Sequence, residues 1–294
     1  MNTDYKSLRI AIQKSGRIGE ESLELLQKSG FKIKASGRNL IAKAENFPLE
    51  ILFLRVGDIA EIVSDGLADL GIVGENSLAE IEKEFGNFEV VEKLGFSKCR
   101  LCLAVPENSE IKNLQDFEGK TIAATYTHIV KKFFAEKKIN IEVVKLSGSV
   151  EIAPQLGLSD AICDIVSSGE TLKAHHLVNI AEIFTSEAVL FTRKGHQKIL
   201  QEKKIDEVLM RIHSVLTARD LKSVVMNLPH NKISEISEIM PSMKSPTITP
   251  LADKNWVAVH TIMKEDDTFW DNITLLKKAG ATGILISPLG RVIE

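Results

Sequence analysis

Cysteine is scarce in this chain and positive charge is not in excess, and each shortage excludes a class of protein. Cys99, Cys102 and Cys163 are the only three cysteines in 294 residues, an odd and sparse set that argues against a disulfide framework and fits a reducing compartment. Cys99 and Cys102 form a C-x-x-C, but no second Cys or His pair stands nearby to complete a zinc site. Arg100 and Leu101 between them read as strand residues, which disfavours a redox turn. The net charge is −3, with Lys and Arg scattered among acids, so no basic tract advertises nucleic-acid binding. No run approaches the ~18 apolar residues needed to span a bilayer. Met1–Arg9 is polar and lacks the apolar core of a signal peptide. The expectation is a cytoplasmic protein with no membrane partner.

What is present is the composition of an ordinary globular protein, 44% apolar and 26% charged, at a length that suggests two or three domains. Over the first two thirds, short apolar runs alternate with amphipathic stretches, the pattern of an α/β layer structure. Strands are expected at Leu8–Ile12, Leu49–Arg55, Asp69–Val73, Leu101–Val105, Gly119–Ala124, Ile141–Leu146 and Ala161–Val166. Helices are expected at Gly19–Ser29, after an Asp58 cap, at His128–Lys137 and at Val150–Leu156.

The two halves echo each other. Gly66-Leu67-Ala68-Asp69, an apolar run and Gly74-Glu75-Asn76 parallel Gly157-Leu158-Ser159-Asp160, an apolar run and Gly169-Glu170-Thr171. This predicts two similar lobes facing across a cleft, with ligands beyond the carboxyl ends of the strands. Lobe one is assigned residues 1–96 with 181–196, and lobe two residues 97–180. A charged helical linker occupies 197–222. The tail, 223–294, reads strand, helix (Lys232–Met240), strand, strand, helix, strand. That βαββαβ order is the ferredoxin-like split unit, often a regulatory ligand binder.

The segment richest in chemistry is Glu151–Leu172. A buried strand carries Asp164 near its end, and Ser167-Ser168-Gly169-Glu170-Thr171 follows before a helix. Such a turn offers backbone N–H groups, hydroxyls and a helix dipole to an anion, and its glycine permits close approach. Asp164 is placed to accept hydrogen bonds from a vicinal diol. The same pattern also fits a plain N-capped helix with Asp164 as surface decoration. Upstream, Ser149 and Glu151 are expected to point toward the cleft from the start of the helix that contains Pro154.

The spaced pattern Glu151-x5-Gly157-x-Ser159-x2-Ile162-x-Asp164-Ile165-x2-Ser168-Gly169-x-Thr171-Leu172 resembles the signature of the ATP phosphoribosyltransferase family. Leu8-Arg9-Ile10-Ala11-Ile12-Gln13-Lys14-Ser15-Gly16-Arg17 is similar to that family's first strand and loop, and Asp65–Asn76 agrees as a third block. The similarity runs from Leu8 to the C-terminus, so the long form is implied. Its fold is a two-lobed core of the periplasmic-binding-protein-like type II kind, with an ACT-like regulatory domain.

The implied reaction joins N1 of the adenine of ATP to C1′ of phosphoribosyl pyrophosphate (PRPP). Pyrophosphate leaves, and Mg²⁺ is required. By this resemblance Ser168, Gly169, Glu170, Thr171 and Leu172 cradle the 5′-phosphate and Asp164 holds the ribose hydroxyls. Many PRPP-using enzymes carry two adjacent acids at this point. Here Cys163 takes the first position, and Glu151 is the candidate second acid. Gln13, Lys14, Ser15, Arg17, Glu75, Asn76 and Arg100 are assigned to ATP, and Lys14 and Arg17 also to catalysis as cations on phosphate oxygens. No metal ligands are assigned. In the tail, Asn227, Thr247 and Gly283 match positions for feedback inhibition by histidine, and the family's dimers and hexamers imply a homo-oligomer. His128, His175 and His176 receive no role, because adenine N1 needs no base to act as a nucleophile. Two other readings stay open from residues alone: a two-lobed sensor or solute-binding protein for a phosphorylated ligand, and a phosphoribosyltransferase with another acceptor base.

Overall fold

The computed structural model describes residues 7–34, 39–85, 88–166, 169–195, 205–236 and 245–293. The chain forms two compact units, Met1–Gln27 with Phe31–Ile205, and Lys28–Gly30 with Asp206–Glu294.

The first unit holds two sheets. The six-stranded sheet runs β2 (Ile41–Lys43), β3 (Leu49–Leu54), β1 (Leu8–Gln13), β4 (Leu70–Gly74), β11 (Ala188–Arg193), β5 (Phe88–Lys93). The five-stranded sheet runs β10 (Leu177–Ser186), β6 (Cys99–Pro106), β9 (Ala161–Val166), β7 (Lys120–Ala124), β8 (Ile141–Lys145). β1 lies parallel to β3 and β4, and β7 parallel to β8 and β9. These central strands read as nearly unbroken apolar runs because helices cover both faces. The helices are α1 (Arg17–Lys28), α2 (Val56–Ser64), α3 (Glu75–Phe85), α4 (Thr127–Lys137) and the short α5 (Glu170–Ala174). The return of β11 between β4 and β5 gives the type II two-lobed arrangement.

Several expected boundaries move. β10 stays in the five-stranded sheet through Ser186, so the chain re-enters lobe one at Glu187, later than residue 181. Arg55, not Asp58, is the N-cap of α2; Asp58 lies in its first turn. The helix expected over Val150–Leu156 is only a 3-10 turn at Val150–Ile152 followed by turns. Pro154 has no N–H to give the carbonyl of Val150, so an α-helical ladder cannot start there; Ala153 N–H takes that carbonyl at 3.1 Å instead.

The echo between lobes has a structural cause. In lobe one Arg9 N–H donates to Asp69 Oδ2 at 2.8 Å while Asp69 N–H donates to the Arg9 carbonyl at 3.0 Å. In lobe two Thr121 N–H donates to Asp160 Oδ2 at 2.8 Å while Asp160 N–H donates to the Thr121 carbonyl at 2.9 Å. Each aspartate therefore clamps the start of its strand to the neighbouring strand, at the end away from the cleft. Gly66 and Gly157 precede them at φ +72° and +69°, a backbone form that glycine adopts freely.

The lobes are joined by two crossings that bond to each other. Leu94 N–H donates to Ala188 O, Ala188 N–H to Phe96 O, and Gly95 N–H to Glu187 Oε2, at 2.9, 3.0 and 2.8 Å. A third tie is a helix cap supplied across the lobes. Tyr126, the N-cap residue of α4, makes no side-chain cap bond of its own. Glu80 on α3 supplies it, accepting from His128 N–H (2.9 Å), Ile129 N–H (3.1 Å) and the Thr127 hydroxyl (3.2 Å). Removing this carboxylate strands several donors at a helix N-terminus. Glu80→Ala is expected to destabilise the protein by about 2 kcal/mol in urea unfolding, and an unchanged midpoint would contradict the cap's role.

In the second unit, α6 (Ile205–Ala218) precedes a four-stranded sheet ordered β13 (Thr247–Pro250), β14 (Trp256–Lys264), β12 (Leu221–Pro229), β15 (Thr282–Pro288). β12 is antiparallel to both of its neighbours. This is the ferredoxin-like order. The core joins Val224, Met226 and Leu228 of β12, Val257, Val259 and Met263 of β14, and Phe269, Ile273 and Leu276 of α8 (Phe269–Lys278). α6 falls within the expected linker helix 197–222, and nearly all of it groups with this unit; residues 197–204 lie outside the described residues. Of the helix expected at Lys232–Met240, the described part is a 3-10 turn at His230–Lys232 and α7 (Ile233–Ile236).

Candidate active site at the lobe junction

Parallel strands of both sheets end at one place. Lys14–Arg17 follows β1, Glu75 and Asn76 follow β4, Tyr126 follows β7, and the turn to Gly169 follows β9. Ser167 and Ser168 lie outside the described residues. A cleft here is lined by Glu75, Lys93, Lys98, Cys99, Arg100, Val166, Thr185, Ser186 and Glu187. Glu75, from the first helical turn of one lobe, thus meets Arg100 and the end of β9 from the other. Lys93 Nζ stands 3.3 Å from Glu75, and Arg100 Nη1 3.3 Å from Glu182.

Asp164 is half-buried on β9, opposite Cys102 of β6. Burial holds its carboxyl above the ordinary range, and the Glu151 charge adds to that lift; the Ile165 N–H, 2.8 Å from Oδ1, opposes it. The charge of Glu151 thus acts on Asp164. Cys163 cannot be a missing acid. Strand alternation turns it away from Asp164 into the core with Leu101, Leu103 and Phe117, where burial pushes its thiol far up.

Gly169 takes φ +80° at the head of α5, and Glu170 and Thr171 are exposed. Leu172 is buried with Cys102, Val150 and Ile162, so only its backbone is available to a ligand. Asn76 is likewise buried. Its N–H donates to Ser186 Oγ at 3.0 Å and its Oδ1 accepts the Ser186 hydroxyl at 2.9 Å. That side chain fastens α3 to the end of β10, which the sequence could not reveal.

The loop after β1 is held by its backbone. Lys14 N–H donates to the Leu54 carbonyl at 2.8 Å, and Gly16 stands at φ +88°. Lys14, Ser15 and Arg17 are exposed and Gln13 is half-buried. Arg17 pairs with Glu21 at 3.4 Å, and the other oxygen of Glu21 accepts the Ser97 hydroxyl, which ties this loop to the first lobe crossing. Among the described residues, none of Gln13, Lys14, Ser15 or Arg17 lines the cleft around Glu75 and Arg100.

Sequence reasoning missed Lys93, Lys98 and Tyr126. Half-buried Tyr126 has a phenol pushed above its usual range by desolvation, with Ser77 and Asn76 of the other lobe in hydrogen-bonding reach and Asp164 and Cys99 close by. Its place straight after β7 was the one available signal. Among the described residues no group of three or more His, Cys, Asp or Glu could hold a metal ion. A metal carried in on polyphosphate oxygens fits this site, with Asp164 and Glu151 as the nearby carboxylates.

A two-lobed α/β core, half-buried carboxylates and a cleft with cations at its rim define the class: a two-lobed protein built to receive a small charged ligand. Residues 55–214 match the family model of ATP phosphoribosyltransferase (HisG), and residues 218–291 match that of the HisG C-terminal domain. The chain is 46% identical to an ATP phosphoribosyltransferase of Bacteroides thetaiotaomicron over 97% of this chain and 99% of that one. It is 44% identical to one of Cytophaga hutchinsonii over 98% and 99%. The solved ATP phosphoribosyl transferase (HisG:HisZ) complex from Thermotoga maritima has a chain 25% identical, with a TM-score of 0.60 over 71% of this chain and 98% of that one. The chain belongs to the ATP phosphoribosyltransferase family, glycosyltransferase-class enzymes of histidine biosynthesis. Family membership sets aside the sensor reading and the alternative acceptor base.

Proposed function

We propose that the cleft divides the two substrates mainly between the lobes. PRPP lies on lobe two, its ribose hydroxyls on Asp164 and its 5′-phosphate on Ser168, Gly169, Glu170, Thr171 and Leu172. ATP lies on the loops after β1 and β4, using Gln13, Lys14, Ser15, Arg17, Glu75 and Asn76, with Arg100 reaching it from lobe two. The observation that carries this reading is Asp164, half-buried near the end of the strand that leads toward Gly169, its carboxyl raised by burial and by the charge of Glu151.

The reaction develops positive charge at C1′ while negative charge grows on the leaving pyrophosphate. Adenine N1 brings its own lone pair, so the protein's work is alignment and charge stabilisation. Mg²⁺ on the phosphate oxygens supplies further neutralisation when bound. The carboxyl groups of Asp164 and Glu151 favour the cationic ribose ring, while Lys14 and Arg17 reach phosphate oxygens from their exposed loop. The reading includes a cytoplasmic setting; no helix among the described residues is long and apolar enough to cross a membrane.

The C-terminal unit is proposed to bind histidine as a feedback inhibitor. The missing Cβ of Gly283 would stand 3.6 Å from Asn227 Nδ2, and Gly283 takes φ +58°. Thr247 lies on β13, the opposite edge of the sheet, about 14 Å from β15 at three strand spacings. A ligand touching all three positions would therefore need two subunits, in keeping with a proposed homo-oligomer, from dimer to hexamer.

The test is the absorbance of the product formed from ATP and PRPP. Product that requires Mg²⁺ and is suppressed by histidine fits the proposal; product indifferent to a chelator would count against the metal, and a histidine-insensitive enzyme against the tail.

A further inference from the structure

Lys98 sits where the chain first crosses between lobes, and its side chain lines the cleft. The backbone sets it there by an unusual step. Ser97, just before it, takes φ +50°, a left-handed conformation that costs energy for a residue other than glycine. The step is fixed from outside, because the Ser97 hydroxyl is accepted by Glu21, whose other oxygen pairs with Arg17. Glu21 therefore couples the loop after β1 to the crossing that carries Lys98.

Two of the three cations that line this cleft are paired. Lys93 faces Glu75 and Arg100 faces Glu182, each at 3.3 Å. Glu187, the other acid of the lining, accepts the Gly95 N–H at 2.8 Å. Among the described residues Lys98 alone of the cleft-lining cations has no ion-pair partner. An unneutralised ammonium beside a backbone step held by two other residues is a poor accident and a good anion receptor. An ammonium on a flexible stem binds phosphate as a point charge, without the planar fork an arginine requires.

We infer that Lys98 binds a polyphosphate group in the cleft, as a positioning cation for the transfer reaction. The inference rests on the two-substrate reading above and adds to it a residue from neither substrate loop. The polyphosphate is either the triphosphate of ATP or the pyrophosphate of PRPP. Lys98 stands between the lobes, so the experiment separates these two sources.

The experiment compares wild type with Lys98→Ala and Lys98→Arg. Calorimetry measures the affinity for inorganic pyrophosphate, and initial rates with Mg²⁺ give KM for ATP and for PRPP. Lys98→Ala is expected to weaken pyrophosphate binding about tenfold. KM should rise similarly for one substrate, with a smaller fall in kcat, and Lys98→Arg should restore most of both. The loss should shrink as salt is raised, as expected of an electrostatic contact but not of a structural defect. A rise confined to ATP assigns the triphosphate; a rise confined to PRPP assigns its pyrophosphate. Pyrophosphate affinity and both KM values within twofold of wild type would overturn the inference. A wild-type protein that makes no product from ATP and PRPP would instead overturn the reading beneath it, and the calorimetry still decides whether Lys98 receives a polyphosphate.

Discussion

Asp164→Asn is expected to lower kcat/KM for PRPP by roughly 10²–10³-fold, the scale of losing one well-placed electrostatic contact in a transition state. On the proposed reading this carboxylate accepts from the ribose hydroxyls and faces the carbon that becomes cationic. An amide of the same shape keeps an acceptor but loses the charge. ATP binding should change by less than about threefold, because the adenine nucleotide belongs to the other lobe. Equal losses for both ligands would refute the ribose role.

The same variant should not cost stability. Burial and Glu151 raise the carboxyl of Asp164 above its ordinary value, so ionising it opposes folding. Between the unfolded value, about pH 4, and the raised folded value, the native state binds more protons than the unfolded one, so stability falls as pH rises. Asp164→Asn removes that fall. Its thermal midpoint is expected to match wild type at low pH and to equal or exceed it at neutral pH. A lower midpoint at neutral pH would mean that the carboxylate is structural.

Gly19→Ala is expected to destabilise the protein by on the order of 3 kcal/mol and to abolish ATP use in whatever fraction still folds. Gly19 lies in the first turn of α1, and a Cβ built there would stand 2.2 Å from the Gln13 carbonyl oxygen. The atom in the way is backbone at the end of a central strand, so no side chain can rotate aside. Either α1 moves off β1 or the loop Lys14–Arg17 shifts, and both displace residues assigned to ATP. Alanine is otherwise the better helix residue by about 1 kcal/mol, so any destabilisation reads directly on the contact. Wild-type stability and wild-type KM for ATP would show that the loop tolerates the displacement.

These two positions also mark how far the sequence could be read. The strand around Asp164 was legible because a buried strand alternates, and that alternation puts Cys163 in the core and Asp164 on the opposite face. The central strands were legible for the same reason, since continuous apolar runs between glycine stops leave few alternatives. The crossing at Glu187 was not, because Leu177–Ser186 is long, mixed in polarity and set by its pairing with β6. The turn at Val150–Ile152 was misread as a helix because the loss of one donor at Pro154 outweighed the apolar spacing. Asn76, assigned to ATP from the sequence, is also a buried tie to Ser186, a partner 110 positions away. Lys98 and Tyr126 gave no periodic signal at all. Lys98 reaches the cleft only because two chain crossings bring both lobes to one edge, and Tyr126 stands two residues past the end of β7.

The most direct measurement follows the new bond itself. ATP labelled with ¹⁵N at N1 and PRPP labelled with ¹³C at C1′ are incubated with the protein and Mg²⁺, and the product is examined by NMR. A one-bond coupling between the two labels, with pyrophosphate released in equal amount, is the predicted result. Labelled C1′ bonded to oxygen or to another nitrogen, with N1 unsubstituted, would contradict it.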